Sequence, residues 1–372
     1  MLESIRIKGF RKYNDFKLDG FNAINFLLGD NNVGKTSILE AIYTWACGEN
    51  VAPMLSIPLA RGRYYLFQNQ YWLIEELLTM VANRHELPLT MEFEGTYDGK
   101  SEKFQHAIYP SDLLPEFDST FKKSMDKIIP QINDNNSEQN SIMNLQMYAQ
   151  PVVAKWNIKH GQSDIEVKIT APVSAIPNAK SFVTAKYIDI LSHTAITENV
   201  QMYASLKREG LLSEVVKRIN SVFPEIVDFD MIPYPDGSQA PVSVVKSDGT
   251  TLPLYACGDG IQRWFYIIGA LTIYKNAIIC IDEIDAGLHP NAQINFCKNI
   301  SEYALKNNVQ LFITTHNIEF MDRYLDTVVD ESSIADNVNV YTIKQNAKGL
   351  AVRKLIAKDA QSLRENNNME LR

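Results

Sequence analysis

The sequence GDNNVGKT at residues 29–36 decides the fold of this chain. It follows the pattern of glycine, four residues, glycine, lysine and serine or threonine that forms a phosphate-binding loop, or P-loop. The apolar run Phe21 to Leu28 before it predicts a buried strand, and the apolar side chains from Lys35 to Cys47 recur at helical spacing. Strand, tight loop and helix in this order predict an α/β domain with a nucleotide site at the loop.

The residue types of this loop suit a triphosphate and its metal ion. Glycines let the backbone direct N–H groups at phosphate oxygens, and the helix that begins near Gly34 adds the positive end of its dipole. Lys35 is predicted to neutralise the β and γ phosphates, and Thr36 to offer a hydroxyl to Mg²⁺, which prefers oxygen ligands. The alternative is an ordinary turn that caps a helix. The predicted nucleotide-binding residues here are Gly29, Asn31, Asn32, Gly34, Lys35, Thr36 and Ser37.

A second apolar strand, Ala277 to Ile281, ends in the two acids Asp282 and Glu283. Nucleotide-binding α/β sheets expose their functional residues at the carboxyl ends of strands. Asp282 is predicted to hold the Mg²⁺ shell, and Glu283 to orient or deprotonate the attacking water of a phosphoryl transfer. Acids end many strands, so this interpretation depends on the P-loop upstream.

Two further segments carry polar groups where phosphate chemistry would use them. The apolar strand Val309 to Thr314 leads to His316, which is predicted to reach a γ phosphate or its proton, with a purely structural histidine as the alternative. The turn at Gly258, Asp259 and Gly260 opens an apolar helix and predicts a second anion-binding helix end. A plain helix start capped by Asp259 is the alternative there.

The motifs GDNNVGKT, CGDGIQR, AIICIDEIDAGLHP and ITTHN stand in the order of P-loop, signature, Walker B with D-loop, and switch histidine. In this order the chain resembles the ABC-type ATPases, and among them the SMC/RecF/OLD branch. The resemblance is detailed over roughly Met1 to Cys47 and Pro253 to Leu325. It implies an α/β P-loop NTPase head of the ABC type, with a mixed or parallel sheet, a helical lobe and an inserted middle segment.

The resemblance also implies a chemistry and an assembly. ATP and Mg²⁺ are the expected cofactors, with Thr36 and Asp282 at the metal, Glu283 as the catalytic base and His316 as the γ-phosphate sensor. Two copies are expected to sandwich the nucleotide, so that the signature turn of one contacts the γ phosphate in the P-loop of the other. Gly258 stands where the family has a serine, which removes one hydroxyl from that contact and implies slow turnover.

Some features of the family are absent from this sequence, and the position of its glutamine loop is undecided between two residues. Gln68 and Gln70 both lie where the family's glutamine loop is expected. Between Lys35 and Gly258 there is no heptad repeat for the coiled-coil arms of SMC proteins. The short remainder after His316 leaves no room for the nuclease domain of OLD proteins, so a nuclease is expected on another chain. This resembles the stand-alone AAA-family ATPases of bacterial anti-phage and abortive-infection systems.

Composition narrows the class of protein. The 372 residues carry a net charge of −8, from 36 basic and 44 acidic side chains, which gives no general attraction to nucleic acid or an anionic bilayer. The four cysteines form no CxxC pair, so no zinc site or disulfide framework is predicted. We find no signal peptide and no apolar run long enough to span a bilayer, and we expect a cytoplasmic protein without a membrane partner.

The chain is predicted to have three parts. Residues 1–60 are the first part of the ATPase head, 61–250 a middle lobe or insertion, and 251–372 the second part of the head. Within the middle part, the polar tract at 132–141 is predicted to be mobile. The segments Leu89 to Tyr97 and Lys103 to Tyr109 are predicted to form a hairpin around Asp98-Gly99.

Three hypotheses about function remain open at this stage. In the first, ATP hydrolysis drives conformational change in a homo-oligomer that regulates a separate effector, such as a nuclease or toxin, in phage defence. In the second, ATP locks a sensor or scaffold that sequesters a partner, and hydrolysis is incidental. In the third, a RecF-like repair ATPase binds DNA through basic stretches such as Lys8 to Lys17. A GTPase is disfavoured because no Asn-Lys-x-Asp element follows Walker B.

Overall fold

A computed structural model describes residues 1–52, 54, 55, 57, 79–82, 88–110, 152–170, 180–232, 240–346 and 349–367. It contains two compact units. Unit 1 comprises residues 1–3, 20–46 and 183–372, and unit 2 comprises residues 4–19 and 47–182. The polar tract at 132–141 and both candidate glutamines, at 68 and 70, lie outside the described residues.

Strands and helices are interspersed along the described part of the chain. The strands are β1 (Leu2–Phe10), β2 (Tyr13–Asp19), β3 (Ile24–Gly29), β4 (Leu89–Tyr97), β5 (Lys100–Pro110), β6 (Val152–His160), β7 (Ser163–Thr170), β8 (Ala185–Ile188), β9 (Ile226–Asp230), β10 (Ser243–Lys246), β11 (Thr251–Pro253), β12 (Ile278–Ile281), β13 (Gln310–Thr314), β14 (Val338–Asn346) and β15 (Gly349–Ile356). The helices of at least one turn are α1 (Lys35–Cys47), α2 (Ile196–Arg208), α3 (Leu212–Asn220), α4 (Asp259–Ile273), α5 (Pro290–Lys306), α6 (Ile318–Val328), α7 (Ser332–Ala335) and α8 (Ala357–Asn367). No helix within the described ranges is long and apolar enough to cross a membrane.

The central sheet of unit 1 has the strand order β15-β14-β3-β13-β12-β8. Every neighbouring pair from β14 to β8 is parallel, and β15 pairs antiparallel with β14. All six residues of β3 are buried, which is the pattern of a parallel strand covered on both faces. The sheet is therefore mixed but mainly parallel, in agreement with the mixed or parallel sheet that the resemblance implies.

The register of three adjacent strands places their carboxyl ends side by side. Leu27 of β3 lies opposite Thr314 of β13, and Ile313 of β13 lies opposite Ile281 of β12. The P-loop, the Asp-Glu pair and the segment leading to His316 each begin where one of these strands ends. Motifs that are far apart in sequence thus share one edge of the sheet.

Helices α2 to α8 of unit 1 all contribute buried residues to one apolar core. Trp264 of α4 is fully buried and lies 5.1 Å, centroid to centroid, from Phe296 of α5. The chain from Ile196 to Asn220 forms two helices, α2 and α3, because it turns at Gly210, where φ is +70°. A short three-stranded sheet, β11-β10-β9, completes this unit.

Unit 2 contains a six-stranded sheet of order β2-β1-β4-β5-β6-β7. The predicted hairpin is confirmed: β4 and β5 pair antiparallel from Leu89↔Ile108 to Tyr97↔Lys100. Asp98 and Gly99 both have positive φ, of 48° and 74°, as a two-residue turn of type I′ requires.

Gln310 ties the start of the chain to the central sheet of unit 1. Its side chain, 2% exposed, accepts from Leu2 N at 2.9 Å and donates to Leu2 O at 2.8 Å and to Asn22 O at 3.0 Å. An unpaired polar group in the interior costs more than the net gain of one hydrogen bond. The Gln310 amide therefore stabilises three backbone groups that the fold buries.

We expect Gln310→Ala to lower the free energy of unfolding by about 3 kcal/mol, because it leaves the Leu2 groups buried without their partner. Urea unfolding followed by circular dichroism measures the change. Gln345→Ala is the matched control, since Gln345 is exposed on β14, and its cost should stay within about 0.5 kcal/mol. Equal costs for the two variants would contradict the structural role of Gln310.

Candidate active site

The P-loop has a backbone that only certain residues permit. Gly29 has φ +138°, and a Cβ at this position would lie 2.1 Å from the carbonyl oxygen of Ile343. Gly34 has φ +96°, and Asn32 has φ +62° in the left-handed region that asparagine tolerates. The loop can thus reverse tightly between β3 and α1, with Asn31 and Asn32 exposed at its tip.

Lys35 lies inside the loop rather than on its surface. It is 4% exposed, and its Nζ donates to the carbonyl oxygens of Gly29 at 2.7 Å and of Asp30 at 2.9 Å. The same Nζ lies 3.4 Å from Nδ1 of His316. An ammonium group enclosed by carbonyl oxygens at a helix start provides the positive charge that a phosphate requires.

Asp282 accepts hydrogen bonds from the hydroxyl groups of two threonines, one in the first turn of α1 and one at the end of β13. Thr36 Oγ1 donates to its Oδ1 at 3.0 Å, and Thr314 Oγ1 donates to the same oxygen at 2.5 Å. The side chain is 8% exposed. One carboxylate beside a hydroxyl suits Mg²⁺, which binds through few protein oxygens and shares the rest of its shell with phosphate and water. The residues present therefore fit the expected ion.

Glu283, the second acid after the Walker B strand, contacts His316. Glu283 Oε1 lies 2.9 Å from His316 Nε2. Burial raises the pKa of the Glu283 carboxyl above its ordinary value, and the charges of Asp282 and Asp285 raise it further, while Lys35 acts in the opposite direction. A carboxylate with a raised pKa is a stronger base.

The tautomer of His316 follows from its neighbours. A lysine ammonium group can only donate, so Nδ1 is the acceptor that faces Lys35 and, in the neutral ring, Nε2 carries the proton. That N–H then donates to Glu283 Oε1. A lysine, a histidine and a glutamate thus form one hydrogen-bonded chain from the phosphate cradle to the candidate base.

The signature turn contacts the loop that follows the Walker B strand. Gly258 caps α4, and a Cβ placed on it would meet no atom within 4 Å. A Cβ on Gly260 would lie 3.1 Å from the carbonyl oxygen of Gly287, and one on Gly287 would lie 2.9 Å from the Cβ of Asp259. Gly287 itself has φ +72°. The glycines therefore allow a close approach of two backbones.

Several residues of the site received no role in the sequence interpretation. Thr314 holds Asp282 and also accepts from the Glu283 amide at 2.9 Å. Thr315 Oγ1 donates to Asp285 Oδ1 at 2.5 Å. Both threonines belong to the ITTHN motif, which marks this segment in the sequence. The motif does not reveal which carboxylate each threonine binds. Arg263 of the CGDGIQR motif lies fully buried beneath the acids.

Most of the predicted site residues converge at one edge of the central sheet. Contacts connect Gly29, Lys35, Thr36, Asp282, Glu283 and His316. Ser37 is half-buried in the first turn of α1. The signature residues Gly258, Asp259 and Gly260 lie at the start of α4 against Gly287, so a role for them at phosphate stays a prediction.

Comparison with known proteins agrees with this geometry. A family model described as AAA ATPase domain matches residues 1–203 and 184–321. The ATP/GTP phosphatase of Helicobacter pylori (strain ATCC 700392 / 26695) is 25% identical over 361 residues, which cover 93% of this chain and 93% of that protein. The DNA replication and repair protein RecF of Staphylococcus haemolyticus (strain JCSC1435) is 33% identical over 106 residues, which cover 28% of this chain and 26% of that protein.

A solved structure extends the comparison to the fold. The Smc head domain of Pyrococcus furiosus, with an extended coiled coil and bound to the C-terminal domain of ScpA, matches over 99% of each chain with a TM-score of 0.52. Its sequence identity to this chain is 12%. The likeness therefore concerns the fold.

We expect Gly287→Ala to lower the free energy of unfolding by at least about 2 kcal/mol, because its Cβ would add overlap with Asp259 to an unfavourable positive φ. Gly210→Ala is the matched control: its φ is +70°, but its Cβ would meet no atom within 4 Å, so only about 1 kcal/mol is expected. Thermal and urea unfolding measure both. If the two costs are equal, the contact between Gly287 and Asp259 is absent.

Proposed function

Because this chain belongs to the AAA ATPase domain family and is an ATPase of the SMC/RecF type, we propose that it hydrolyses Mg²⁺-bound ATP at the carboxyl edge of its central sheet. The observation that carries this proposal is the convergence of the P-loop with the Asp282-Glu283 pair. Thr36 and Asp282, 246 positions apart, lie within 3.0 Å of each other there. Phosphoryl transfer needs positioned charges and an oriented nucleophile, and this edge offers both.

In the proposed reaction the chain's own groups do three things. The P-loop amides and Lys35 hold the phosphates, and Thr36 and Asp282 hold the Mg²⁺ ion, which when bound would offset phosphate charge. A carboxylate oxygen of Glu283 takes a proton from the attacking water. His316 keeps Glu283 in place through Nε2–H, and its other nitrogen faces Lys35, so it can register the γ phosphate.

We further propose that the active assembly is a dimer in which the nucleotide lies between two copies. The signature turn at Gly258 to Gly260 would then contact the γ phosphate from the neighbouring copy. Open space around Gly258 and its position at the start of the 15-residue helix α4 support this role, because helix N-termini attract anions. Gly258 brings no hydroxyl, so backbone donors would form the contact and turnover would be slow.

The biological role proposed for this ATPase is the regulation of a separate effector, such as a nuclease, in phage defence. Its support is the resemblance of the motif set to stand-alone ATPases of that kind. The full-length similarity to an ATP/GTP phosphatase favours a nucleotide hydrolase as the core activity. The RecF similarity covers 28% of this chain and gives no independent support for DNA binding.

We expect Glu283→Gln to lower ATP hydrolysis by a factor of roughly 10²–10⁴, because the amide cannot accept the proton of water. Nucleotide binding should remain, since the cradle around Lys35 is unchanged. Released phosphate measures hydrolysis, and calorimetry measures binding.

Lys35→Ala serves as the control, because it should abolish nucleotide binding and hydrolysis together, whereas Glu283→Gln should lose only hydrolysis. Undiminished binding to the Lys35→Ala protein would overturn the assignment of the cradle. Undiminished hydrolysis by the Glu283→Gln protein would remove Glu283 as the base.

Mixing two inactive variants tests the shared site. Lys35→Ala removes the P-loop function of one copy, and Gly258→Trp is designed to block the signature turn of the other, at a position where a Cβ meets no atom of its own chain within 4 Å. A mixed dimer retains one intact site. If the chains pair at random and each site works independently, half of the dimers are mixed and an equimolar mixture recovers about a quarter of the unmodified activity per chain. Recovery of no activity would exclude the trans arrangement.

A further inference from the structure

Arg263 lies at the junction of the signature helix and the catalytic acids. It is located on α4, three residues after Gly260, and its side chain is 0% exposed. Its Nη2 donates to the carbonyl oxygens of Asp282 at 3.0 Å and Glu283 at 2.5 Å, and its Nε donates to that of Ile284 at 3.1 Å. One guanidinium group thus binds three consecutive backbone carbonyls at the end of the Walker B strand.

The Nη1 atom of Arg263 contacts a further segment of the chain, residues 190–193. Nη1 donates to the carbonyl oxygen of Ile190 at 3.3 Å and faces Nδ1 of His193 at 3.5 Å. Burial, together with the charge of Arg263, lowers the pKa of His193 to about 4, so its ring is neutral and Nδ1 can accept. All five N–H donors of Arg263 are therefore directed at acceptors.

The buried Arg263 side chain remains positively charged. Burial lowers its pKa to about 10, which still leaves it protonated at neutral pH, and the nearby acids Asp285, Asp189, Asp282 and Glu283 favour that form. A charged, planar donor in a fixed orientation binds carbonyl oxygens more strongly than a neutral one. The position thus requires the geometry of arginine, and lysine has fewer donors to offer.

Glu283 needs such support because its backbone is unusual. Its φ is +50°, in a region that L residues other than asparagine and aspartate rarely adopt. A residue in that conformation persists only when its surroundings determine it. The hydrogen bonds from Arg263 to the carbonyls before, at and after this residue fix the peptide planes that aim the Glu283 side chain.

We propose that Arg263 is a positioning residue that holds Glu283 in its catalytic orientation and links it to the signature turn of the same chain. This inference rests on the proposed function, in which Glu283 is the base and the signature turn contacts a nucleotide held by a neighbouring copy. The turn and Arg263 belong to one helix, α4, and Gly260 packs against Gly287 next to the acids. A displacement of the turn therefore reaches the carbonyls that Arg263 holds.

The first experiment measures hydrolysis by the full chain carrying Arg263→Gln. We expect kcat to fall on the order of 10²-fold, since misplacing a base by about 1 Å has this effect. KM and the dissociation constant for ATP should remain within about twofold, because the cradle at Lys35 is untouched. Arg208→Gln, at the exposed end of α2, is the matched control and should leave kcat unchanged.

Arg263→Lys separates a positioning role from a general loss of folding. It keeps the buried charge but can donate to fewer carbonyls, so its kcat should lie between those of the Gln variant and the unmodified chain. Because both variants leave carbonyls unpaired, kcat is measured at a temperature at which circular dichroism shows each chain to be folded. An unchanged kcat in both variants, or a rise in KM that accounts for the whole loss, would overturn the proposal.

The mixed dimer identifies which glutamate Arg263 serves. In that dimer the single intact site uses Glu283 of the Gly258→Trp chain and the signature turn of the Lys35→Ala chain. Arg263→Gln should reduce activity when it is added to the Gly258→Trp chain and leave it within about twofold when added to the Lys35→Ala chain.

The opposite pattern in the mixed dimer would show that Arg263 supports only the signature contact, and equal losses would show a general structural role; either result overturns the proposal. If the mixed dimer shows no activity before Arg263 is changed, the trans arrangement fails. The kcat and KM of the single-variant chains then decide the role of Arg263 independently.

Discussion

The contact between Thr36 and Asp282 is the constraint on which the site depends. It joins the first residues of α1 to the end of β12, across 246 positions of sequence, at a distance of 3.0 Å. This is achieved by the parallel register of β3, β13 and β12, which aligns their carboxyl ends. Because Thr314, at the end of the middle strand, donates to the same oxygen, a shift of one strand would break at least one of the two hydrogen bonds to Asp282.

Around this contact the backbone adopts conformations that a random sequence would avoid. Gly29, Glu283 and Gly287 have positive φ, and at two of these positions glycine removes a Cβ that would overlap a neighbour. Such conformations cluster at functional sites because the surrounding structure determines them. Here the surroundings include the buried Arg263, which holds the carbonyls of three consecutive residues.

Positively and negatively charged side chains occupy different parts of the site. In the proposed reaction Lys35, surrounded by carbonyl oxygens, would present positive charge to phosphate, whereas Asp282, Glu283 and Asp285 would place negative charge near the metal ion and the attacking water. His316 lies between them and contacts both Lys35 and Glu283. The family match and the full-length similarity to an ATP/GTP phosphatase are consistent with hydrolysis at this edge.

The sequence by itself determined the P-loop, the acidic strand end and the hairpin at Asp98-Gly99, because glycine spacing, apolar runs and turn residues act locally. Only the tertiary structure decided which groups meet. The pairing of Thr314 with Asp282, the clamp formed by Arg263 and the left-handed backbone of Glu283 depend on strand register and helix packing. Those distances cannot be read from motifs or apolar spacing, because the hydrogen-bond partners lie far apart in the chain and meet only when the strands pair and the helices pack.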